Sequence, residues 1–181
     1  EKEQDYALAL GLRAEIYLEK PLDPEKMRGW QDLAEAAELG SKEAMDSILR
    51  RSVEAVMQKE SSPIPETGNK AFTEAYSFKQ KTEIDRLSMQ LWLIASTHTK
   101  KSSDKVSFLE KAAEFGSLEA CRQIRALHEE KKYQHLTIDY VAASLKKVVN
   151  KQPMDSSDYK NALNDLYQIA LGWEQSQPKK A

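Results

Sequence analysis

Cysteine is almost absent from this sequence, and its scarcity excludes a disulfide framework. Cys121 is the single cysteine among 181 residues, so no bridge can form within the chain. Because many exported proteins also lack disulfides, the cysteine count leaves the cellular compartment open.

Glycine, proline and long apolar runs are also scarce. The chain has six glycines and six prolines, placed mostly between segments with helical periodicity, which favours an all-helical protein. No run reaches the length of about 18 apolar residues that a membrane-spanning helix needs. We therefore expect no direct membrane insertion.

An excess of charge of either sign is missing as well. The 27 basic and 29 acidic residues leave a formal net charge of −2. That balance provides no electrostatic footprint for nucleic acid or for an anionic membrane surface. The short lysine pairs are spread along the chain and are typical of solvated helix ends.

What the sequence does contain is an internal repeat. The segment AAELGSKEA at residues 36–44 returns as AAEFGSLEA at residues 112–120, with seven of nine positions identical. Gly40 and Gly116 can adopt the left-handed conformation that ends a helix, and Ser41 and Ser117 can cap the next helix. A helix–Gly–Ser–helix corner that recurs is typical of a repeat array.

The repeat period predicts the architecture. The two corners lie 76 residues apart, which is twice a period of 38, and YALALG at 6–11 is echoed by YQIALG at 167–172 after roughly nine inserted residues. We predict an all-α fold, an α/α solenoid of about four antiparallel helix pairs plus a C-terminal capping helix. One domain would span residues 1–176, with a possible irregular loop at 60–69 and a disordered tail at 177–181.

Nine helices are predicted from apolar periodicity and from helix start and stop signals. Thr82 would begin the fifth helix, with Asp85 in a capping-box spacing, and residues 86–116 would align without a gap on 10–40. The predicted helices are 6–19, 24–39, 41–59, 70–80, one beginning at 82, one beginning at 104, 117–131, 138–149 and about 157–175.

The order of small and aromatic residues resembles the Sel-one-like repeat of the tetratricopeptide superfamily. The first copy, residues 6–41, carries the elements of this pattern in order: Leu10-Gly11, Tyr17, Trp30, Ala36-Ala37 and Gly40. The third copy, residues 82–117, matches in its second half only. There Arg86-Leu87 stands in place of Leu-Gly, and Val106 in place of the aromatic residue.

This resemblance implies a non-enzymatic scaffold or adaptor that binds a partner protein. In the family, the first helix of each pair lines the binding groove, and many members are exported or periplasmic bacterial proteins, which favours an envelope or secretion-associated complex. No cofactor, metal or small-molecule substrate is expected. On this basis, the predicted partner-facing residues are Arg13, Arg50, Arg51, Gln90, Trp92 and Arg122, with a solvated helix surface as the alternative.

The tryptophans and the Cys–His pair each allow two interpretations. Trp30 and Trp173 fall on apolar stripes and are expected in the core. Trp92 has apolar residues on both sides and is also expected in the core, but it is the first choice for an interface anchor if any tryptophan is exposed. Cys121 and His128 share a helix face, followed by His135, so a nucleophile–base pair or a zinc site can be imagined. No Cys-x-x-Cys or His-x-x-x-His spacing supports zinc, and a buried thiol with a core histidine is the simpler interpretation.

Three functions therefore stay open on sequence grounds. The first is a protein-interaction scaffold, the second is a segment of a longer structural solenoid, and the third is an enzyme that depends on Cys121 or His128.

Overall fold

The computed structural model of the chain describes residues 2–18, 24–60, 62–64, 78–130, 133 and 136–176, with the backbone alone at 24–26, 78–81 and 173–176. Every regular element in these ranges is an α-helix, which confirms the predicted all-α class. The eight helices are α1 (Lys2–Leu18), α2 (Pro24–Glu38), α3 (Lys42–Met57), α4 (Phe78–His98), α5 (Ser102–Glu114), α6 (Leu118–Glu129), α7 (Ile138–Lys151) and α8 (Ser157–Ser176).

The helices group into two compact units, Glu1–Lys111 and Ala112–Ala181, with the division inside α5. In the first unit α1 packs on α2, α2 on α3, and α4 on both α2 and α3. In the second unit α6 packs on α7, and α8 packs mainly on α7. In both units these helices pack on their neighbours in the sequence, which is compatible with a solenoid of helix pairs. A single domain over 1–176 remains a prediction.

The two repeated corners form as predicted. Gly40 and Gly116 have φ values of 89° and 93°. The amide of the following serine donates to the carbonyl of Ala36 at 2.9 Å in the first corner, and to that of Ala112 at 3.1 Å in the second. This is the hydrogen bond of a Schellman motif, which only a residue tolerant of positive φ allows.

Each corner also caps the helix that follows it. The side chain of Ser41 accepts from the amide of Ala44 at 3.3 Å, and that of Ser117 accepts from the amide of Ala120 at 3.1 Å. One side chain thus satisfies an amide that the first helical turn would otherwise leave without an acceptor.

A close approach joins α1 to α2. A Cβ atom placed on Gly29 would lie 2.9 Å from Cβ of Tyr17 and 3.1 Å from the carbonyl oxygen of Ala14. Glycine is therefore required sterically at this position, and Ala14 is completely buried against it. Apolar spacing predicts that Leu10, Ala14, Tyr17 and Leu18 share the inward side of α1. Leu10, Ala14 and Leu18 are buried, and Tyr17 is half-buried.

The start of the fifth predicted helix is corrected. The helix begins at Phe78 and passes through Thr82, so Thr82 is not its N-terminal cap. Residues 70–77 of the predicted short helix lie outside the described residues, as do the tail at 177–181 and most of the loop at 60–69.

The gap-free alignment of 86–116 on 10–40 is also wrong for α4. Its buried residues Leu87, Leu91 and Ala95 lie 77 positions after the buried residues Leu10, Ala14 and Leu18 of α1. A shift of one residue turns a helix face by about 100°, and this rotation is what places the apolar side of α4 inward.

The predicted stripe of α8 needs a similar correction. Apolar spacing predicts an inward stripe of Tyr159, Leu163, Leu166, Ala170 and Trp173. Among the described side chains of α8, however, Ala162 and Ile169 are buried, whereas Leu163 and Ala170 are exposed. The helix is apolar on more than one side, so its apolar spacing alone did not identify the face that packs on α7. The side chain of Trp173 lies outside the described residues.

Candidate partner-binding surface

The predicted partner-facing residues of the first unit are mostly engaged within that unit. Nε of Arg13 lies 2.6 Å from Oδ2 of Asp32, and its Nη2 donates to Oδ1 at 2.9 Å. The hydrogen bonds to Asp32 and its charge raise the pKa of the Arg13 guanidinium. Asp32 is buried, so this bidentate pair joins α1 to α2 and satisfies a carboxylate that would otherwise lack a partner.

Arg51 and Gln90 have structural contacts as well. The Arg51 guanidinium carbon lies 5.3 Å from the ring centre of Trp30, and Nη2 lies 3.3 Å from a carboxylate oxygen of Glu15. Nε2 of Gln90 donates to Glu38 at 2.6 Å, which ties α4 to the end of α2. These two predicted binding residues therefore hold neighbouring helices together.

The prediction that Trp92 faces a partner is wrong, because this side chain is completely buried and is not a surface anchor. Its ring stacks on Phe108 with centroids 5.6 Å apart, between α4 and α5. The core interpretation also holds for Trp30, which is 1% exposed. A tryptophan on a helix that packs on both sides has no exposed face from which to contact a partner.

The two remaining arginines are exposed, and they belong to different units. Arg50 lies on the outer side of α3 in the first unit. Arg122 lies on α6 in the second unit, where its Nε is 3.4 Å from Oδ2 of Asp165 on α8. The predicted residues thus do not form one continuous cluster in either unit.

Cys121 is buried, and His128 has a backbone hydrogen-bond partner. Cys121 is 1% exposed, and burial raises the pKa of its thiol to about 12. Nδ1 of His128 is hydrogen-bonded to the backbone carbonyl oxygen of Leu136. His135 lies outside the described residues, and within the described part of the chain no three metal-ligating side chains cluster.

An exposed apolar row on α1 was missed by the sequence reasoning. Leu8, Leu12 and Ile16 are 52%, 61% and 61% exposed, although their side chains are aliphatic. Their spacing of four residues places them along one line of the helix, which we call the α1 ridge. The missed signal was a second apolar row in a helix whose buried row was already accounted for.

The equivalent positions on α3 and α6 carry mostly charged residues. One period later, on α3, the residues are Asp46, Arg50 and Glu54, and all three are exposed. Three periods after α1, on α6, exposed Arg122 and Glu130 occupy the first and third positions of the row. On α3 and α6 this side of the helix therefore faces solvent, with exposed Ala126 at the middle position of the α6 row, whereas on α1 it is aliphatic.

The α1 ridge and the charged row of α3 lie side by side. Glu15 connects the two helices, because one of its carboxylate oxygens accepts from Oγ of Ser47 at 2.7 Å and the other lies 3.3 Å from Arg51. The contacts place α3 along one flank of α1. An apolar strip therefore borders a row of alternating acidic and basic groups.

A shallow pocket of about 230 Å³ lies at the N-terminal end of the ridge. Leu8 forms one wall, and the corner between α2 and α3 forms the opposite wall, where Leu39 is 39% exposed. The lining residues are Gln4, Ala7, Leu8, Leu39, Gly40, Ser41, Lys42 and Glu43. The pocket is large enough for one side chain of a bound protein and is lined by aliphatic and polar groups together.

Comparisons with protein-family models, with curated protein sequences and with solved structures each find no match to this chain. The resemblance to Sel-one-like repeats therefore remains a prediction. No helix in the described ranges combines the length and the apolar character needed to cross a membrane.

Proposed function

We propose that this protein is a non-enzymatic interaction scaffold that binds a partner protein on the outer face of α1 and α3. The observation that carries the proposal is the exposure of the α1 ridge, with three consecutive turns of aliphatic side chain more than half open to solvent. Contiguous exposed apolar side chains commonly mark sites of protein association in soluble proteins.

Burial of the ridge supplies the driving force. Complete burial of a leucine or isoleucine side chain is worth about 1.5–3 kcal/mol, and these residues have roughly half of that still to gain. The neighbouring row of Asp46, Arg50 and Glu54 then contributes orientation, since charges at the edge of an interface select partners more than they add affinity.

The resemblance to Sel-one-like repeats supports the same face. α1 and α3 are the first helices of the predicted pairs, and in that family the first helices line the groove that holds a partner. We extend the proposal to a subunit of a bacterial envelope or secretion-associated complex, with a protein partner and no cofactor, small-molecule substrate or nucleic acid.

Site-specific photocrosslinking tests the proposal. A photoreactive residue at position 12 of the full chain, in an extract of cells that produce the protein, is expected to crosslink to a different polypeptide. The matched control carries the same residue at Arg28, an exposed position on α2, a helix that is not part of the proposed face. Ile16→Glu should reduce the position-12 crosslink at least about tenfold, because it places a charge within the contact.

Absence of any crosslink from position 12 to a different polypeptide would contradict the proposal. Equal crosslinking from positions 12 and 28 would contradict it too, because the association would then not depend on the outer face of α1 and α3.

Exposed apolar groups on α8 favour a second candidate, a structural segment within a longer solenoid. Leu163 and Tyr167 are 41% and 60% exposed, on a face that a further helix could cover. This candidate requires a natural polypeptide larger than the 20.6 kDa of the present sequence. The mass of the protein in the cells that produce it tests this candidate. A mass of 20.6 kDa would oppose the longer solenoid.

A further inference from the structure

The two repeated corners form a pair in which one is covered and the other is open. Their backbones agree, with φ values of 89° at Gly40 and 93° at Gly116, and with ψ values of 115° and 109° at the serines that follow. In both corners the serine amide donates to the carbonyl of the alanine five residues earlier. The two glycine carbonyls therefore have the same orientation relative to the helices that flank them.

In the second corner, the end of α7 is the occupant. Nε2 of Gln152, the C-cap residue of α7, donates to the carbonyl oxygen of Gly116 at 2.9 Å. A Cβ atom added to this glycine would lie 3.1 Å from that nitrogen and 3.2 Å from Cβ of Lys151. Further back along α7, Nζ of Lys147 lies 3.2 Å from a carboxylate oxygen of Glu114 at the end of α5. The occupant is thus a helix C-terminus that carries a carboxamide and a lysine.

The same side of the first corner is open. A Cβ atom added to Gly40 meets nothing within 4 Å, and Gly40 lines the pocket of about 230 Å³. The counterpart of Glu114 is Glu38, an exposed residue in the last turn of α2 whose carboxylate accepts from Gln90. The first corner thus has the equivalent carbonyl and the equivalent carboxylate, next to a space for one side chain.

The charges at the first corner favour a basic occupant. Glu35 and Glu38 lie in the last turn of α2, which has no basic residue, and the negative end of the helix dipole lies there too. Beyond the glycine, the opposite charges of Lys42 and Glu43 offset each other. Lys42 replaces the buried Leu118 of the second corner, so the first corner suits an occupant that is held by polar contacts.

We propose that the first corner binds the C-terminal end of a helix from a partner protein. A carboxamide side chain of that helix donates to the carbonyl oxygen of Gly40, and a lysine about one turn earlier lies beside Glu38, as the end of α7 does at the second corner. This proposal rests on the proposed function, because Leu8 of the α1 ridge forms a wall of the same pocket. It specifies the kind of segment that the scaffold holds at that end of the ridge.

An NMR titration of the purified full chain tests this binding mode. The probe is an alanine-based helical peptide that ends in Lys-Ala-Ala-Ala-Lys-Gln with an N-methylamide terminus. It keeps the spacing of Lys147, Lys151 and Gln152 and omits the apolar side of α7. Because the second corner is already covered, the peptide should shift the backbone amide signals of Gly40 and Ser41. One hydrogen bond and one exposed ion pair give a dissociation constant on the order of 1 mM.

Matched variants separate the hydrogen bond from the charge. A peptide with methionine in place of the glutamine lacks the N–H donor and should bind about fivefold more weakly, which corresponds to one net hydrogen bond. In the protein, Glu38→Gln should weaken binding of the glutamine peptide about twofold to fivefold. Asp85→Asn removes an exposed carboxylate on α4 and should bind the peptide as the wild type does. Thermal unfolding checks that both protein variants are folded.

The absence of a shift at Gly40 and Ser41 up to about 5 mM peptide would overturn the proposal. Equal affinity for the methionine peptide would also overturn it, and unchanged binding by Glu38→Gln would reject the lysine contact. The proposed function is tested separately by the crosslink from position 12. If that crosslink forms but the peptide does not bind, the corner site is rejected and the scaffold stands. If the peptide binds but no crosslink forms, the corner site is supported and the ridge is rejected as the binding face.

Discussion

The two repeated corners share a sequence and a backbone, but their surroundings differ. Gly116 is buried under the end of α7, where Nε2 of Gln152 donates to its carbonyl oxygen at 2.9 Å. Gly40 is exposed, and a Cβ atom added there would meet nothing within 4 Å. Identical local residues thus determine the bend, whereas residues distant in the sequence determine how much that bend contributes to stability.

Substitution of the two glycines should give the largest difference. A Cβ at positive φ costs about 1–2 kcal/mol at either corner. At Gly116 the new atom also lies 3.1 Å from Nε2 of Gln152 and 3.2 Å from Cβ of Lys151, and such crowding adds roughly 1–3 kcal/mol. In urea denaturation we expect Gly116→Ala to lose about 3 kcal/mol and Gly40→Ala about 1 kcal/mol. Equal losses of unfolding free energy would show that packing of α7 over Gly116 does not add to the cost of the substitution.

Two glycines inside helices extend the contrast between covered and open positions. Gly29→Ala gains about 1 kcal/mol of helix propensity but forces α1 and α2 apart, with a net loss of about 1–2 kcal/mol expected. Gly11→Ala, where nothing lies within 4 Å of the added atom, should stabilise by about 0.5–1 kcal/mol. Thermal unfolding measures both, and stabilisation by Gly29→Ala would contradict the close approach.

The capping serines should differ less. Loss of a capping hydroxyl costs about 0.5–2 kcal/mol, with more expected where the released amide is shielded from water. Ser117 is 4% exposed, whereas Ser41 is only partly buried. Ser117→Ala should therefore destabilise more than Ser41→Ala in the same urea measurement. The reverse order would indicate that burial of the corner does not affect the cap.

The prediction for Cys121 concerns the reactivity of its thiol and involves the smallest expected change in stability near neutral pH. The pKa of the thiol is raised from 9.0 to about 12 by burial, so the reactive thiolate is about a thousandfold rarer than in the unfolded chain. A thiol reagent at pH 8 should label the native protein at least that much more slowly than the protein in urea. Rapid native labelling would reopen the enzyme alternative.

The same raised pKa predicts a stability change in alkali. Between pH 9 and pH 12 the unfolded thiol loses its proton while the folded thiol keeps it, so the unfolding free energy falls as pH rises. Cys121→Ala serves as the control, because it lacks this titration. The unfolding free energy of the wild type should fall more steeply with pH than that of the variant between pH 9 and pH 12. Below pH 9 the two slopes should be equal.

Local signals in the sequence predicted the corners and most of the helices. The left-handed glycines and capping serines depend on residues within one helical turn of each other, so nine residues contain the necessary information. Helix existence also followed from periodicity, although α1 begins at Lys2 and α4 at Phe78, earlier than predicted. Helix starts without a strong cap depend on packing.

The candidate surface was less predictable. α1 carries apolar residues on two sides, and the sequence predicted its buried row but not the exposed row of Leu8, Leu12 and Ile16. Arg13, Arg51 and Gln90 were expected to face a partner, and each of them also bonds to a neighbouring helix, since the same chemistry serves both roles. The burial of Trp92 depended on Phe108, which lies on the next helix.

The sequence by itself determined the helical class, the repeated Gly–Ser bends and the buried row of α1, because these depend on side chains a few residues apart. Only the tertiary structure decided that α4 is rotated by one residue, that Gly116 is covered while Gly40 is open, and that Leu8, Leu12 and Ile16 face solvent. These features depend on which distant helices approach each other, and a spacing pattern within one helix does not contain that information.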